Sequence, residues 1–136
     1  MRLLAIIISG VILAITGSLV VMAAPARLPG AWRVVSIDGA PPPGRAGVTL
    51  DFEPDGRLSG QAPCNRYHAG YRIEGQRIVF SPGATTRMFC GEEIMRAEQR
   101  FLGMLGGGAV WSISSDGLRL TADSGAVLTA TRSRAR

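Results

Sequence analysis

From residue 30 onward the chain is written in short alternating runs. Trp32-Arg33-Val34-Val35-Ser36-Ile37 predicts a first strand, and Asp38-Gly39 with Pro41-Pro42-Pro43-Gly44 predicts a loop that no sheet interior accepts. Val48, Leu50 and Phe52 then alternate with Thr49, Asp51 and Glu53, the period-two signature of a strand with one buried face. Pro54-Asp55-Gly56 turns the chain, because Pro presets φ and Gly accepts the left-handed position, and residues 57–61 return as the partner. Tyr71-Arg72-Ile73 and Arg77-Ile78-Val79-Phe80 predict a second hairpin about Glu74-Gly75-Gln76. Residues 110–114, 118–122 and 126–131 predict three more strands, separated by the turn signals Ser115-Asp116-Gly117 and Asp123-Ser124-Gly125. Roughly seven or eight short strands of this kind argue for a small antiparallel β-barrel-like domain, mainly β with one helix.

The helix is the one break in the alternation. Between Glu92 and Leu105 the apolar residues Ile94, Ala97, Phe101 and Leu105 recur at helical spacing, while Glu92, Glu93, Arg96, Gln99 and Arg100 fall on other faces. Acidic residues occupy its first turn and Gly106-Gly107-Gly108 follows its end. An amphipathic helix inserted among hairpins predicts a plug at one end of the barrel.

The N-terminus reads differently. Met1-Arg2 precedes an apolar run from Leu3 to Ala24, and Ala24-Pro25-Ala26 offers the small residues read by a signal peptidase. The run exceeds the ~7–15 residues of a signal core and is close to the ~20 that cross a bilayer. Residues 1–26 are therefore either a cleaved signal peptide or a retained membrane anchor, and residues 27–136 are the domain. Both readings place the domain outside the cytoplasm, in the periplasm or cell envelope. No cysteine ends the apolar run, so it is not a bacterial lipid anchor.

Composition adds little to this. The mean hydropathy of +0.20 owes much to the leader. The net charge is +5, and all 15 basic residues are Arg. They are scattered, with a small cluster at Arg132, Arg134 and Arg136, so the dense basic stripe of a nucleic-acid binder is absent. Membrane contact is expected only through the N-terminal segment, if it is retained.

Three motifs carry a resemblance. Gly60-Gln61-Ala62-Pro63-Cys64-Asn65-Arg66-Tyr67 resembles the Gly-x-x-Gly-Cys-Asn-x-Tyr motif of the META-domain (HslJ-like) family of exported bacterial proteins. Thr86-Arg87-Met88-Phe89-Cys90 resembles its Thr-x-Met-x-Cys, and Met95 to Phe101 its Met-x-x-Glu-x-x-Phe helix, with Glu98 as the acid. Trp32 and the closing Asp116-Gly117-Leu118-Arg119-Leu120 also stand where that family has them. Pro63 replaces the glycine before Cys64, which removes a backbone donor and fixes φ there. The resemblance implies a compact antiparallel barrel with one helix, envelope-associated, linked to heat shock and antibiotic tolerance, with no established catalytic activity.

The residues themselves leave several chemistries open. Cys64 and Cys90 are the only cysteines, and in an oxidising compartment a disulfide is the first expectation; two buried free thiols are the alternative. Cys64 with His68, oriented by Glu92 or Glu93, has the outline of a thiol nucleophile site. Cys64, His68, Met88 and Cys90 are soft donors that suit Cu(I) or Zn(II) if the fold assembles them. Asn65 and Tyr67 are expected to act structurally, Thr85-Thr86 as a polar connector, and Arg87 with Glu98 as a partly buried ion pair. Paired catalytic carboxylates, a Ser-His-Asp arrangement and a phosphate-cradling loop are all missing. The expectation is a non-enzymatic envelope protein without a cofactor or metal, whose partner is another envelope component. The alternatives are a carrier holding a small apolar ligand in the barrel, and a thiol or metal site at Cys64 and Cys90.

Overall fold

The computed structural model describes residues 27–115 and 117–134. The expected signal or anchor segment lies outside the described residues. Eight strands follow in chain order: β1 (Gly30–Ile37), β2 (Thr49–Phe52), β3 (Arg57–Gln61), β4 (Arg66–Glu74), β5 (Arg77–Thr85), then helix α1 (Glu92–Met104), β6 (Gly108–Ser114), β7 (Gly117–Ala122) and β8 (Val127–Arg132). Each strand pairs antiparallel with its sequence neighbour, and β8 returns to β1 to close the barrel. Closure removes most of the exposed sheet edge that would otherwise template aggregation, all but the far half of β5.

The alternation seen in the sequence is realised as an inward face. Trp32, Leu50, Phe52, Leu58, Tyr67, Ile78, Phe80, Leu118, Leu120 and Leu128 are all buried. Phe52 meets Tyr71 edge to face at 5.0 Å between centroids, and Tyr67 meets Phe101 at 5.4 Å. The interior is thus filled with side chains, which takes away the space an internal ligand carrier requires. Helix α1 joins β5 to β6 and contributes Phe101 and Met104 to the same core, so it does plug one end.

Several boundaries differ from expectation, most of them by one or two residues, and two places differ in a way that has a physical reason. The second hairpin is longer: β4 begins at Arg66 and β5 continues through Ser81-Pro82-Gly83 to Thr85. Pro82 is tolerated because β6 pairs with β5 only at Arg77, Ile78 and Val79, which leaves the far half of β5 with β4 on one side alone. A register shift between His68 and Gly70 accommodates the Pro-Gly pair. The helix ends at Met104, one residue early. The N–H groups of Leu105 and Gly106 bond the carbonyls of Leu102 and Gly103, tightening the last turn into 3₁₀ geometry. None of Gly106, Gly107 and Gly108 takes a positive φ, so they are not a left-handed cap.

Up-and-down connectivity sorts the connections to two ends. The start of β1, the end of β8 and the β2–β3, β4–β5 and β6–β7 turns share one end. The β1–β2 loop, the β3–β4 loop, α1 and the β7–β8 turn share the other.

Candidate functional site

At the helix end, the β3–β4 loop (residues 62–65), the segment leading from β5 (residues 86–91) and the buried face of α1 converge on one carboxylate. Glu98 is buried, at 4% exposure, although most positions around it in α1 are charged or polar. Its Oε1 accepts the backbone N–H of Cys64 at 2.9 Å and of Asn65 at 2.6 Å, and Oε2 accepts Asn65 Nδ2 at 2.7 Å. Two successive amides in a tight turn point the same way, and a carboxylate satisfies both. This is the role the sequence misassigned: Glu98 is not ion-paired with Arg87 but anchors the cysteine loop to the helix. The signal was present in its spacing, since Glu98 lies four residues after Ile94 and three before Phe101, on the apolar stripe itself.

Asn65 is used at every hydrogen-bonding position. Its Nδ2 also donates to the Met88 carbonyl at 3.2 Å, while Oδ1 accepts the Met88 N–H at 2.7 Å and the Thr86 hydroxyl at 2.9 Å. Its own carbonyl accepts the Ala62 N–H at 2.7 Å. Thr86 in turn accepts the Arg66 N–H through its hydroxyl and donates its own N–H to the Arg66 carbonyl. One asparagine therefore holds Met88 by both backbone groups. Pro63 is compatible with this turn because the donors that matter are those of Cys64 and Asn65.

Cys64 and Cys90 form a disulfide with Cα atoms 5.8 Å apart, and it ties the same two segments together. The bond overturns the readings of a thiol nucleophile, a soft-metal site and buried free thiols, since neither sulfur is free. His68 lies on the exposed face of β4 opposite Ser59 and Ala84. Glu92 and Glu93 are exposed in the first turn of α1, with Glu92 4.0 Å from Arg96. Among the described residues no group of three His, Cys, Asp or Glu side chains is placed to hold a metal ion.

The remaining motif residues are structural. The Tyr67 hydroxyl donates to the Thr49 carbonyl at 2.7 Å, and burial pushes its acidity well below that of an ordinary phenol. Trp32 is buried, donates to the Leu28 carbonyl at 2.9 Å and lies under the Arg132 guanidinium. Met88 is the exception to expectation. Expected as a soft metal donor, its side chain is instead 55% exposed, and Phe89 beside it is 75% exposed. Sequence reasoning gave Phe89 no role, and no local pattern marks it.

A model of the META domain matches residues 26–135. The fold is similar to an NMR structure of a protein from Burkholderia xenovorans, with a TM-score of 0.62 and 22% identity, covering 84% of this chain and 96% of that one. A second NMR structure is similar at a TM-score of 0.64 and 21% identity, covering 76% and 88%. At such identities the likeness concerns the fold alone. A search of curated proteins returns no match.

Proposed function

Because the chain belongs to the META-domain family, we propose that it is a non-enzymatic protein of the cell envelope that supports heat or antibiotic tolerance by binding another exported protein through Met88 and Phe89. One observation supports this reading. Phe89 is 75% exposed on a segment whose neighbours are fastened on both sides, by Asn65 at Met88 and by the disulfide at Cys90. An exposed aromatic ring ordinarily costs solubility without return. Held on a rigid support it can enter a partner's pocket with little ordering entropy left to lose, which is the usual character of a binding hot spot. Export agrees with the apolar N-terminal run and with the Cys64–Cys90 disulfide.

The test is genetic and local. The gene is deleted and the strain challenged with heat and novobiocin-type drugs, then complemented with the wild-type chain or with Phe89→Ala. The expected result is sensitivity on deletion, rescue by the wild type and none by Phe89→Ala, although that variant folds and forms its disulfide. An insensitive deletion strain rejects the stress role, and full rescue by Phe89→Ala rejects the site.

A further inference from the structure

Every residue from Ser81 to Cys90 is exposed, and the stretch runs without a turn or bend. Its backbone is bonded on one side. Thr86 gives its N–H to the Arg66 carbonyl, and Met88 is held at both its N–H and its carbonyl by the Asn65 side chain. In an extended chain successive backbone groups point to opposite sides, so Thr85, Arg87 and Phe89 turn theirs outward. Among the described residues, the N–H and carbonyl groups of Arg87 and Phe89 have no hydrogen-bond partner. Barrel closure does not reach this edge, because β6 pairs with β5 only at Arg77, Ile78 and Val79.

Proteins ordinarily guard such an edge. Pro82 and the register shift beside it guard the beginning, since Pro has no N–H to offer and the shift breaks the ladder. From Thr85 to Phe89 no Pro stands, and Arg87 guards differently. Two copies of the edge paired antiparallel about it would set Arg87 against Arg87, an unfavourable like-charge pair. An acidic partner meets no such obstacle. Arg66 and Arg87 are exposed and make no ion pair among the described residues. Glu92 lies by Arg96, Glu93 is exposed in the first turn of α1, and buried Glu98 is taken up by Cys64 and Asn65. Beside Thr85, a groove of about 150 Å³ lined by Pro82, Gly83, Leu102 and Leu105 offers a mainly apolar floor for one side chain of an added strand.

We propose that the edge from Thr85 to Phe89 takes an added β-strand: an extended segment of another protein, with an acidic residue opposite Arg87. An extended chain supplies N–H and C=O groups at the spacing this edge presents. Main-chain hydrogen bonds then give affinity, and the side chains that meet Arg87 and the groove give selectivity. Asn65 and the disulfide already hold the edge in place, so little ordering entropy is lost on binding. The proposal rests on the docking reading of Met88 and Phe89 and deepens it, since it states how the partner lies. Its test uses the purified chain, so a failed stress role and a failed strand addition are read separately.

The full-length, isotope-labelled chain in mild detergent is titrated with a peptide that alternates Thr and Val about a central Glu, and amide exchange is read by NMR. In the free chain the amides of Thr86 and Met88 are expected to exchange slowly and those of Thr85, Arg87 and Phe89 fast. The peptide should slow the second set. N-methylation of two adjacent central residues, which blocks both edges of the peptide, should weaken binding about tenfold or more. Lys in place of its Glu should weaken it several-fold. Arg87→Pro removes an outward N–H without breaking an internal bond and should abolish the protection, whereas Arg87→Gln should only weaken binding. If Arg87→Pro does not fold, the methylated peptide decides. No binding, binding that leaves the Arg87 and Phe89 amides fast, undiminished binding of the methylated or the Lys peptide, or protection without peptide that grows with protein concentration, the mark of a second copy, would each overturn the proposal.

Discussion

Glu98 and Asn65 are thirty-three residues apart in sequence and joined twice: the carboxylate accepts both the backbone N–H of Asn65 and its side-chain amide, at 2.6 and 2.7 Å. With the Cys64 N–H added, one buried acid meets three donors and no cation. Such a group stabilises only while every donor is present, and its loss strands them all.

Glu98→Ala is therefore expected to lower stability by about 3–5 kcal/mol, because three buried donors lose their acceptor and water replaces it imperfectly. That is a large share of the roughly 5–15 kcal/mol typical of a domain. The urea midpoint is the measurement, and a loss comparable to a surface substitution would contradict the role.

Asn65 permits a sharper comparison. Asn65→Asp sets a second carboxylate against Glu98 and offers an acceptor to the Met88 carbonyl, so it is expected to destabilise more than Asn65→Ala at neutral pH. Equal midpoints for the two variants at neutral pH would refute this account.

Reduction of the disulfide opens a closed loop with a sequence separation of 26. The chain-entropy estimate for such a loop is about 3.5 kcal/mol. Denaturant curves with and without reductant, and for the Cys64→Ser Cys90→Ser double variant, should agree on a loss of that order. Thiol titration of the unfolded protein should find none before reduction.

Gly83 lies at the register shift between β4 and β5, where an added Cβ would fall inside the van der Waals shell of the His68 carbonyl. Gly75 has open space around it but a φ of 63°. Gly83→Ala is expected to cost about 3 kcal/mol through steric displacement of paired backbone. Gly75→Ala should cost about 1 kcal/mol through its conformation alone. Thermal unfolding would rank them, and the reverse order would show that β5 relaxes freely.

Alkaline pH should unfold the protein through Tyr67. Desolvation raises its pKa above the ordinary value of 10.0, and Asp51 adds to the shift. For a group raised in the folded state, stability is intact below the unfolded value and declines above it, by about 1.4 kcal/mol per pH unit. Phenolate absorbance should therefore rise together with loss of far-ultraviolet structure, not before it. At the acid side, Arg77 holds Asp123 below the usual carboxylate range, so its contribution is present above that range and fades as pH falls through it.

Much of the strand order was legible because its code is local. Val48, Leu50 and Phe52 show period two within six residues, and Pro54-Asp55-Gly56 and Glu74-Gly75-Gln76 name their turns by φ requirements alone. Ser81-Pro82-Gly83 misled for the same reason: its local chemistry belongs to a loop, and only the absence of a β6 partner beside it allows a strand. The motif around Cys64, Asn65 and Glu98 was visible as letters, but its bonds were not.

By itself the sequence determined the apolar N-terminal run, the alternating strands and their turns, the helical stripe ending near Leu105, and a family resemblance that its three motifs carry. Each of these depends on neighbours within one turn or one hairpin. Tertiary structure alone decided that β8 closes on β1, that the two cysteines bond, that Glu98 serves backbone donors and not Arg87, and that Phe89 stands in solvent on a fastened support. These are relations between atoms distant in the chain, and no short-range pattern encodes which far group a hydrogen-bond donor will meet once the barrel has closed.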